Sequence, residues 1–95
     1  MTKYETLYII NPKLDGEANK AVIDKFAQLV ADNGGTVDSI EEQGVKKLAY
    51  EINFVNEGFY VLMNFTADPT FPAELERNFK ISEDIMRFIV IKKEA

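Results

Sequence analysis

The sequence contains neither cysteine nor histidine among its 95 residues. Without cysteine the chain cannot form disulfides, thiolate zinc sites or a thiol nucleophile, and without histidine it has no imidazole for acid–base catalysis. These absences remove the side chains on which most common enzymes depend. We therefore expect a binding domain and not an enzyme.

Long apolar runs are also missing, since no stretch approaches the roughly 20 residues that a membrane helix needs. The first residues lead directly into a patterned strand and show no apolar secretion signal. We therefore expect a soluble, cytoplasmic protein with no membrane partner. An excess of positive charge is missing too, because the formal net charge is -5. Any binding of nucleic acid must then be local or shared with a partner.

The sixteen acidic residues do not form a metal-binding pattern. The tight groupings, Glu41-Glu42 and Glu83-Asp84, lack the alternating spacing of a calcium loop. We interpret the acids as solvated surface, and expect no metal, no cofactor and no small-molecule substrate.

The first half of the chain predicts a strand, a helix and a long second strand. Lys3 to Ile10 is rich in β-branched and aromatic residues and stops at Asn11-Pro12. The helix that follows has Asp15 as its predicted cap and Leu14 as a staple residue, and it ends at Asn33-Gly34-Gly35. Its apolar positions at helical spacing are Val22, Phe26, Leu29 and Val30.

The next strand runs from Thr36 to Ile52 and contains Gly44, which predicts a bulge or bend. A turn is predicted over Phe54 to Gly58, and a third strand over Phe59 to Phe65. A second helix is predicted after Asp68-Pro69-Thr70, with Pro72 in its first turn and Leu75 and Phe79 on one face. A last strand is predicted over Ile85 to Lys92. The order β-α-β-β-α-β over residues 1–95 predicts a single α+β domain. Its expected form is a ferredoxin-like sandwich, a four-stranded antiparallel sheet with two helices on one face.

Two helices cover only one face of such a sheet, so the other face is normally polar. Here Val61, Met63 and Phe65 are predicted to face the helices, yet the alternate positions are apolar as well. The outward apolar residues are Leu7, Ile9, Tyr60, Leu62, Ile89 and Ile91. An apolar patch of this kind usually marks a protein-partner site. The alternative, which stays open, is that single exposed apolar residues are normal or that one strand register is wrong.

Lysines cluster at two places in the predicted sheet. Antiparallel pairing of the first and last strands brings Lys3 beside Lys92 and Lys93, and Lys46 and Lys47 form a second pair just past Gly44. Lysines on sheet edges often protect against aggregation. The functional alternative is that they contact phosphates of a nucleic acid.

The RNA-recognition motif has this same strand order, and its first and third strands carry characteristic residues. Leu7 to Asn11 resembles its first-strand pattern, with Tyr8 at the stacking position. The third strand does not match, because Glu57 replaces a basic residue, Tyr60 a small residue and Val61 the second stacking aromatic. Tyr8 is also predicted to face the helices. The sequence therefore disfavours base stacking on this sheet.

The segment Gly44 to Ile52 resembles the conserved block of the bacterial small-subunit ribosomal protein six family, which reads glycine, any residue, two basic or polar residues and Leu-Ala-Tyr. The resemblance covers almost the whole chain. Other family-like features, at family-like spacing, are Tyr4-Glu5, Asn11-Pro12, Asn33-Gly34-Gly35, Gly58 and Ile85 to Val90.

The resemblance implies a structural, non-enzymatic component of the small ribosomal subunit in the cytoplasm. It further implies joint binding of 16S ribosomal RNA (rRNA) with small-subunit ribosomal protein eighteen. The candidate phosphate contacts that it implies are Lys3, Lys46, Lys47, Arg87, Lys92 and Lys93.

The sequence departs from the family pattern at three places. Glu51 stands where proline is common, so the long strand should be less kinked there. Thr2 replaces a frequent basic residue, and the sequence ends at Ala95 where many members continue into a tail. We therefore expect weaker amino-terminal RNA contact and none from such a tail.

Two other functions were compared with the sequence. An acylphosphatase-type enzyme needs an arginine in a phosphate-cradling loop, and the segment Asn11 to Gly16 contains no arginine. We reject that activity. A dimeric regulatory domain of ferredoxin-like fold that binds a small molecule remains open, although the segment Lys46 to Tyr50 would have no obvious role in it.

Overall fold

A computed structural model describes residues 1–12, 16–52 and 55–93, with side chains except at positions 49, 50 and 52. The predicted cap Asp15, the staple Leu14 and the turn residue Phe54 lie outside the described residues. The elements in chain order are β1 (Thr2–Ile10), α1 (Gly16–Asp32), β2 (Thr36–Ile52), β3 (Val55–Ala67), α2 (Phe71–Ile81) and β4 (Ile85–Lys92).

The four strands form one antiparallel sheet in the order β2-β3-β1-β4. β1 and β3, which carry apolar residues on both faces, lie in the centre of the sheet. β2 and β4 form its edges. Both helices contribute apolar side chains to a single core. The predicted ferredoxin-like α+β fold is therefore confirmed.

The third strand begins earlier than predicted. Val55 to Gly58 were expected to form a turn, but they belong to β3, where Gly58 pairs with Lys46 and Glu57 pairs with Lys47. The prediction failed because a glycine was taken as a turn signal. In the structure this glycine makes room for a side chain of β1 and stays within the ladder.

Gly44 marks a bulge in β2, as the sequence predicted. Its φ is 84°, in the left-handed region that favours glycine, and the pairing register with β3 shifts between Glu42 and Gly44. The shift returns Gly44 to direct pairing with Tyr60. The bulge therefore decides which β2 residues share a face with the neighbouring strands.

The core between helices and sheet is rich in aromatic rings. Phe79 of α2 lies at its centre, with its ring centroid 4.5 Å from that of Phe26, 5.1 Å from Tyr8 and 5.0 Å from Phe88. The predicted core residues of β3 are fully buried beside them. Thr6, also buried, donates a hydrogen bond of 2.7 Å from its hydroxyl to the carbonyl oxygen of Ile89.

Tyr8 is fully buried, and its hydroxyl has no hydrogen-bond partner among the described residues. An unsatisfied buried hydroxyl costs free energy that folding must offset. We expect Tyr8→Phe to raise the free energy of unfolding by about 1 kcal/mol. Urea titration at pH 7 with both proteins measures the change, and a loss of stability would show that the hydroxyl has a partner.

Burial also raises the pKa of Tyr8 above its ordinary 10.0, with smaller contributions from Glu42 and Asp24. The unfolded chain then releases the Tyr8 proton at lower pH than the folded chain does. Ionisation of Tyr8 therefore leaves the free energy of unfolding unchanged below pH 10 and lowers it as pH rises further. We expect Tyr8→Phe to lose less stability than the wild type between pH 9 and 11, as urea titrations across that range would show.

Candidate protein and RNA interface on the open sheet face

The sheet face opposite the helices, here called the open face, is organised in rows of paired residues that run across the strands. The Tyr60 row consists of Gly44, Tyr60, Ile9 and Arg87. The Leu62 row consists of Glu41, Leu62, Leu7 and Ile89. The Asn64 row consists of Ser39, Asn64, Glu5 and Ile91. The last row, at the end of the open face farthest from the Tyr60 row, consists of Thr36, Thr66, Lys3 and Lys93.

All six apolar residues predicted to point away from the helices lie on the open face, within these rows. Their exposure differs. Ile89 and Ile91 on the edge strand are each 51% exposed, and Leu7, Tyr60 and Leu62 are half-buried. Ile9 is only 8% exposed. The exposed part of the apolar patch is therefore concentrated toward β4.

Ile9 is buried on an open face because Gly58 has no side chain. A Cβ at position 58 would collide with Cγ2 of Ile9 and would lie 3.6 Å from Cδ2 of Leu48. The isoleucine thus occupies the space above the glycine, beside the leucine of β2. This contact joins the long β2–β3 hairpin to the central strand β1.

Gly58→Ala is expected to lower the free energy of unfolding by about 1–3 kcal/mol, because the branched side chain of Ile9 must be displaced. Gly16→Ala is the matched control, since an added Cβ there meets nothing within 4 Å. Denaturant titration of both variants compares them. Equal stability changes would show that Ile9 moves aside at no cost.

A shallow groove of about 140 Å³ follows the boundary between β1 and β4. Its lining residues are Leu7, Ile9, Arg87, Phe88 and Ile89. Its lining is mainly apolar and includes Arg87. Its size suits a single apolar side chain of a partner protein.

The six predicted phosphate contacts divide between the two faces of the sheet. Lys3 and Lys93 are neighbours at the far end of the open face, where the amide of Lys93 donates a 2.9 Å hydrogen bond to the carbonyl of Lys3. Lys92 pairs with the core residue Tyr4 and so belongs to the opposite face. Nζ of Lys93 lies 3.7 Å from Oε2 of Glu5, which offsets part of its charge.

The lysine pair of β2 is divided in the same way. Lys46 lies on the open face, where Nζ is 5.7 Å from the ring centroid of Tyr60 and donates a 3.1 Å hydrogen bond to Oε1 of Gln43. Strand alternation directs Lys47 to the other face. Arg87 is exposed on the open face in the Tyr60 row. Cationic side chains thus lie at both ends of the open face, and the apolar residues lie between them.

The β2 border of the open face is acidic and polar. Asp38 accepts a 2.8 Å hydrogen bond from the hydroxyl of Thr66, and Ser39 accepts one of 3.0 Å from the amide of Asn64. Glu41 is exposed beside Leu62. This border is electrostatically suited to a basic protein partner.

No group of three or more potential metal ligands occurs among residues 1–12, 16–52 and 55–93. In that same part of the chain, neither helix has the length and apolar character needed to span a membrane.

The strand order, the paired helices and the apolar open face together define the class of the protein as a ferredoxin-like α+β domain with a candidate binding surface on its sheet. Comparison with known proteins gives the family. The model of the family described as Ribosomal protein S6 matches residues 3–92.

Curated relatives and a solved structure agree with that match. The chain is 53% identical over 94 residues to small ribosomal subunit protein bS6 of Clostridium novyi and 52% identical to that of Exiguobacterium sibiricum, with 99% of each chain covered. The crystal structure of 30S ribosomal protein S6 from Thermotoga maritima superimposes with a TM-score of 0.91 at 28% identity, covering 97% of this chain and 87% of that one.

The chain therefore belongs to the ribosomal protein S6 family. It is a structural protein of the small ribosomal subunit and, through that family, a component of the cytoplasmic ribosome. The family resemblance carried by Gly44 to Ile52 is confirmed.

Two site features were not found by sequence reasoning. The contact of Gly58 with Ile9 depends on the β1–β3 register, and the approach of Lys46 to Tyr60 depends on the bulge at Gly44. The glycines themselves were the available signal. Their spatial neighbours could not be identified without the strand pairing.

Proposed function

We propose that this protein binds 16S rRNA jointly with small-subunit ribosomal protein eighteen. The partner protein occupies the apolar centre of the open face. The rRNA is contacted by the cations around the sheet. The observation that carries the proposal is an open face that is apolar in its centre and positively charged at both ends.

Burial and charge support the protein contact. Ile89 and Ile91 are each 51% exposed, on an edge strand beside the half-buried Leu7. Covering such side chains removes apolar surface from water, which stabilises association. The formal net charge of -5 and the acidic β2 border favour a basic partner.

The arrangement of the cations supports a local RNA contact. The outward ones are Lys46 and Arg87 at one end of the open face and Lys3 and Lys93 at the other. Ile9 lies six positions after Lys3 on β1, a span of about 20 Å at strand spacing. Two separate phosphate contacts are therefore available on either side of the bound protein, and Lys47 and Lys92 add charge at the opposite face.

The proposal is tested by pull-down of the tagged protein from lysate of its own source at moderate salt, with and without ribonuclease. Co-purifying chains are identified by mass spectrometry and RNA by sequencing. We expect small-subunit proteins and 16S rRNA before digestion, and retention of ribosomal protein eighteen after it.

Recovery of the protein alone as a homodimer would contradict the proposal and favour the dimeric regulatory domain. Loss of ribosomal protein eighteen on ribonuclease treatment would contradict the direct protein contact, since RNA alone would then connect the two proteins.

A further inference from the structure

The open face leaves one aromatic ring accessible beside an empty position at the sheet edge. Tyr60 is half-buried, and its neighbour toward the edge is Gly44, with which it pairs directly. A Cβ placed on this glycine meets nothing within 4 Å. The space next to the tyrosine ring is therefore open at the β2 edge.

A cation lies over the same ring. Nζ of Lys46 is 5.7 Å from the ring centroid of Tyr60 and donates a 3.1 Å hydrogen bond to Oε1 of Gln43. The side chain of Lys46, two residues after Gly44, thus reaches back to the Tyr60 row. A half-buried aromatic ring, an open edge and an exposed ammonium group occur together at this corner.

From this geometry we propose that an unpaired base of rRNA stacks on the Tyr60 ring, entering over Gly44, and displaces the exposed Lys46 ammonium group from the ring. The displaced Lys46 then contacts the phosphate of the same or the adjoining nucleotide. The inference rests on the proposed joint RNA binding and deepens it, because it assigns base contact to a residue that the sequence placed on the protein-partner face. Base stacking on exposed aromatic rings and lysine contact with phosphate are the usual components of single-strand recognition.

The neighbouring residues favour a nucleotide over a protein side chain at this corner. Ile9 is buried next to Tyr60 and offers little further apolar surface, whereas the exposed isoleucines lie toward β4 and its far end. Arg87 completes the row on the other side. Glu41 belongs to the adjacent Leu62 row, on the side of the Tyr60 row opposite Lys46.

In the RNA-recognition motif pattern the stacking position falls on Tyr8, which is buried against Phe26 and Phe79. Stacking on Tyr60 is a different arrangement, because this ring lies on the opposite face and near the β2 edge. The sequence-based objection to Tyr8 therefore does not apply to it.

The test compares wild type with Tyr60→Leu and Tyr60→Phe in two separate measurements. Isothermal titration first gives the affinity for purified ribosomal protein eighteen without RNA. Filter binding then gives the affinity of each preformed protein pair for 16S rRNA. Tyr60→Phe is the matched control, because it retains the ring and removes the hydroxyl.

We expect Tyr60→Leu to leave protein affinity within about twofold and to weaken rRNA binding by roughly 5–150-fold, the range for loss of one stacked base. Tyr60→Phe should bind rRNA within about threefold of wild type. Ultraviolet crosslinking followed by mass spectrometry should place a nucleobase adduct on Tyr60 in the wild-type complex.

A loss of protein affinity in Tyr60→Leu without further loss of rRNA affinity would overturn base stacking and return Tyr60 to the partner face. Equal loss of rRNA binding in both variants would overturn it too, because the hydroxyl would then be the contact. A wild-type protein that binds neither partner would instead contradict the proposed function itself.

Discussion

Replacing Phe79 by alanine is expected to lower the free energy of unfolding by about 3–5 kcal/mol, the usual range for truncating a buried phenylalanine. Phe79 is 1% exposed and its ring contacts those of Tyr8, Phe26 and Phe88. The substitution leaves a cavity between both helices and the sheet. Urea unfolding followed by far-ultraviolet circular dichroism measures the loss.

Ile81→Ala in the same helix is the control, because Ile81 is 67% exposed and its truncation creates no cavity. It should change the free energy of unfolding by less than about 0.5 kcal/mol. A loss below about 1.5 kcal/mol for Phe79→Ala would show that the aromatic cluster repacks and does not hold the two layers in place.

Ile89→Lys is expected to weaken binding to ribosomal protein eighteen at least about 30-fold, or roughly 2 kcal/mol. In the proposed complex the new ammonium group would be buried in the contact with a partner that the acidic β2 border favours as basic. The fold should tolerate it, since Ile89 is 51% exposed on an edge strand, where lysine is common. Isothermal titration without RNA measures the effect on the protein contact alone.

Ile81→Lys adds the same charge at an exposed isoleucine of α2, away from the open face. It should bind ribosomal protein eighteen as the wild type does. If the two variants bound equally well, the partner would not lie over β4 and the apolar patch would need another explanation.

The elements of this fold could largely be predicted from the sequence, because period-two and helical apolar patterns are local. The bounds of β2, Thr36–Ile52, and of β4, Ile85–Lys92, agree with the prediction, and Gly44 forms the predicted bulge. The face assignment in β1 and β3 was also correct, since alternation follows directly from strand geometry.

The remaining features depend on how the strands pair. Val55 to Gly58 look like a turn until their partners in β2 are known, and Ile9 looks exposed until Gly58 is placed beside it. Likewise, adjacent lysines in sequence suggested one cluster, whereas Lys46 and Lys47 lie on opposite faces. The roles of the individual site residues stay predictions until binding is measured.

The central position of β1 also affects how the protein is made. Residues 2–10 pair with residues 59–67 on one side, and residues 4–10 pair with residues 85–92 on the other. Contacts this distant in sequence form late, because the intervening chain must first be closed into loops. During synthesis the sheet cannot be completed until its last strand has left the ribosome. The proposed partner surface includes residues of β1, β3 and β4, so it is complete only once β4 has joined the sheet.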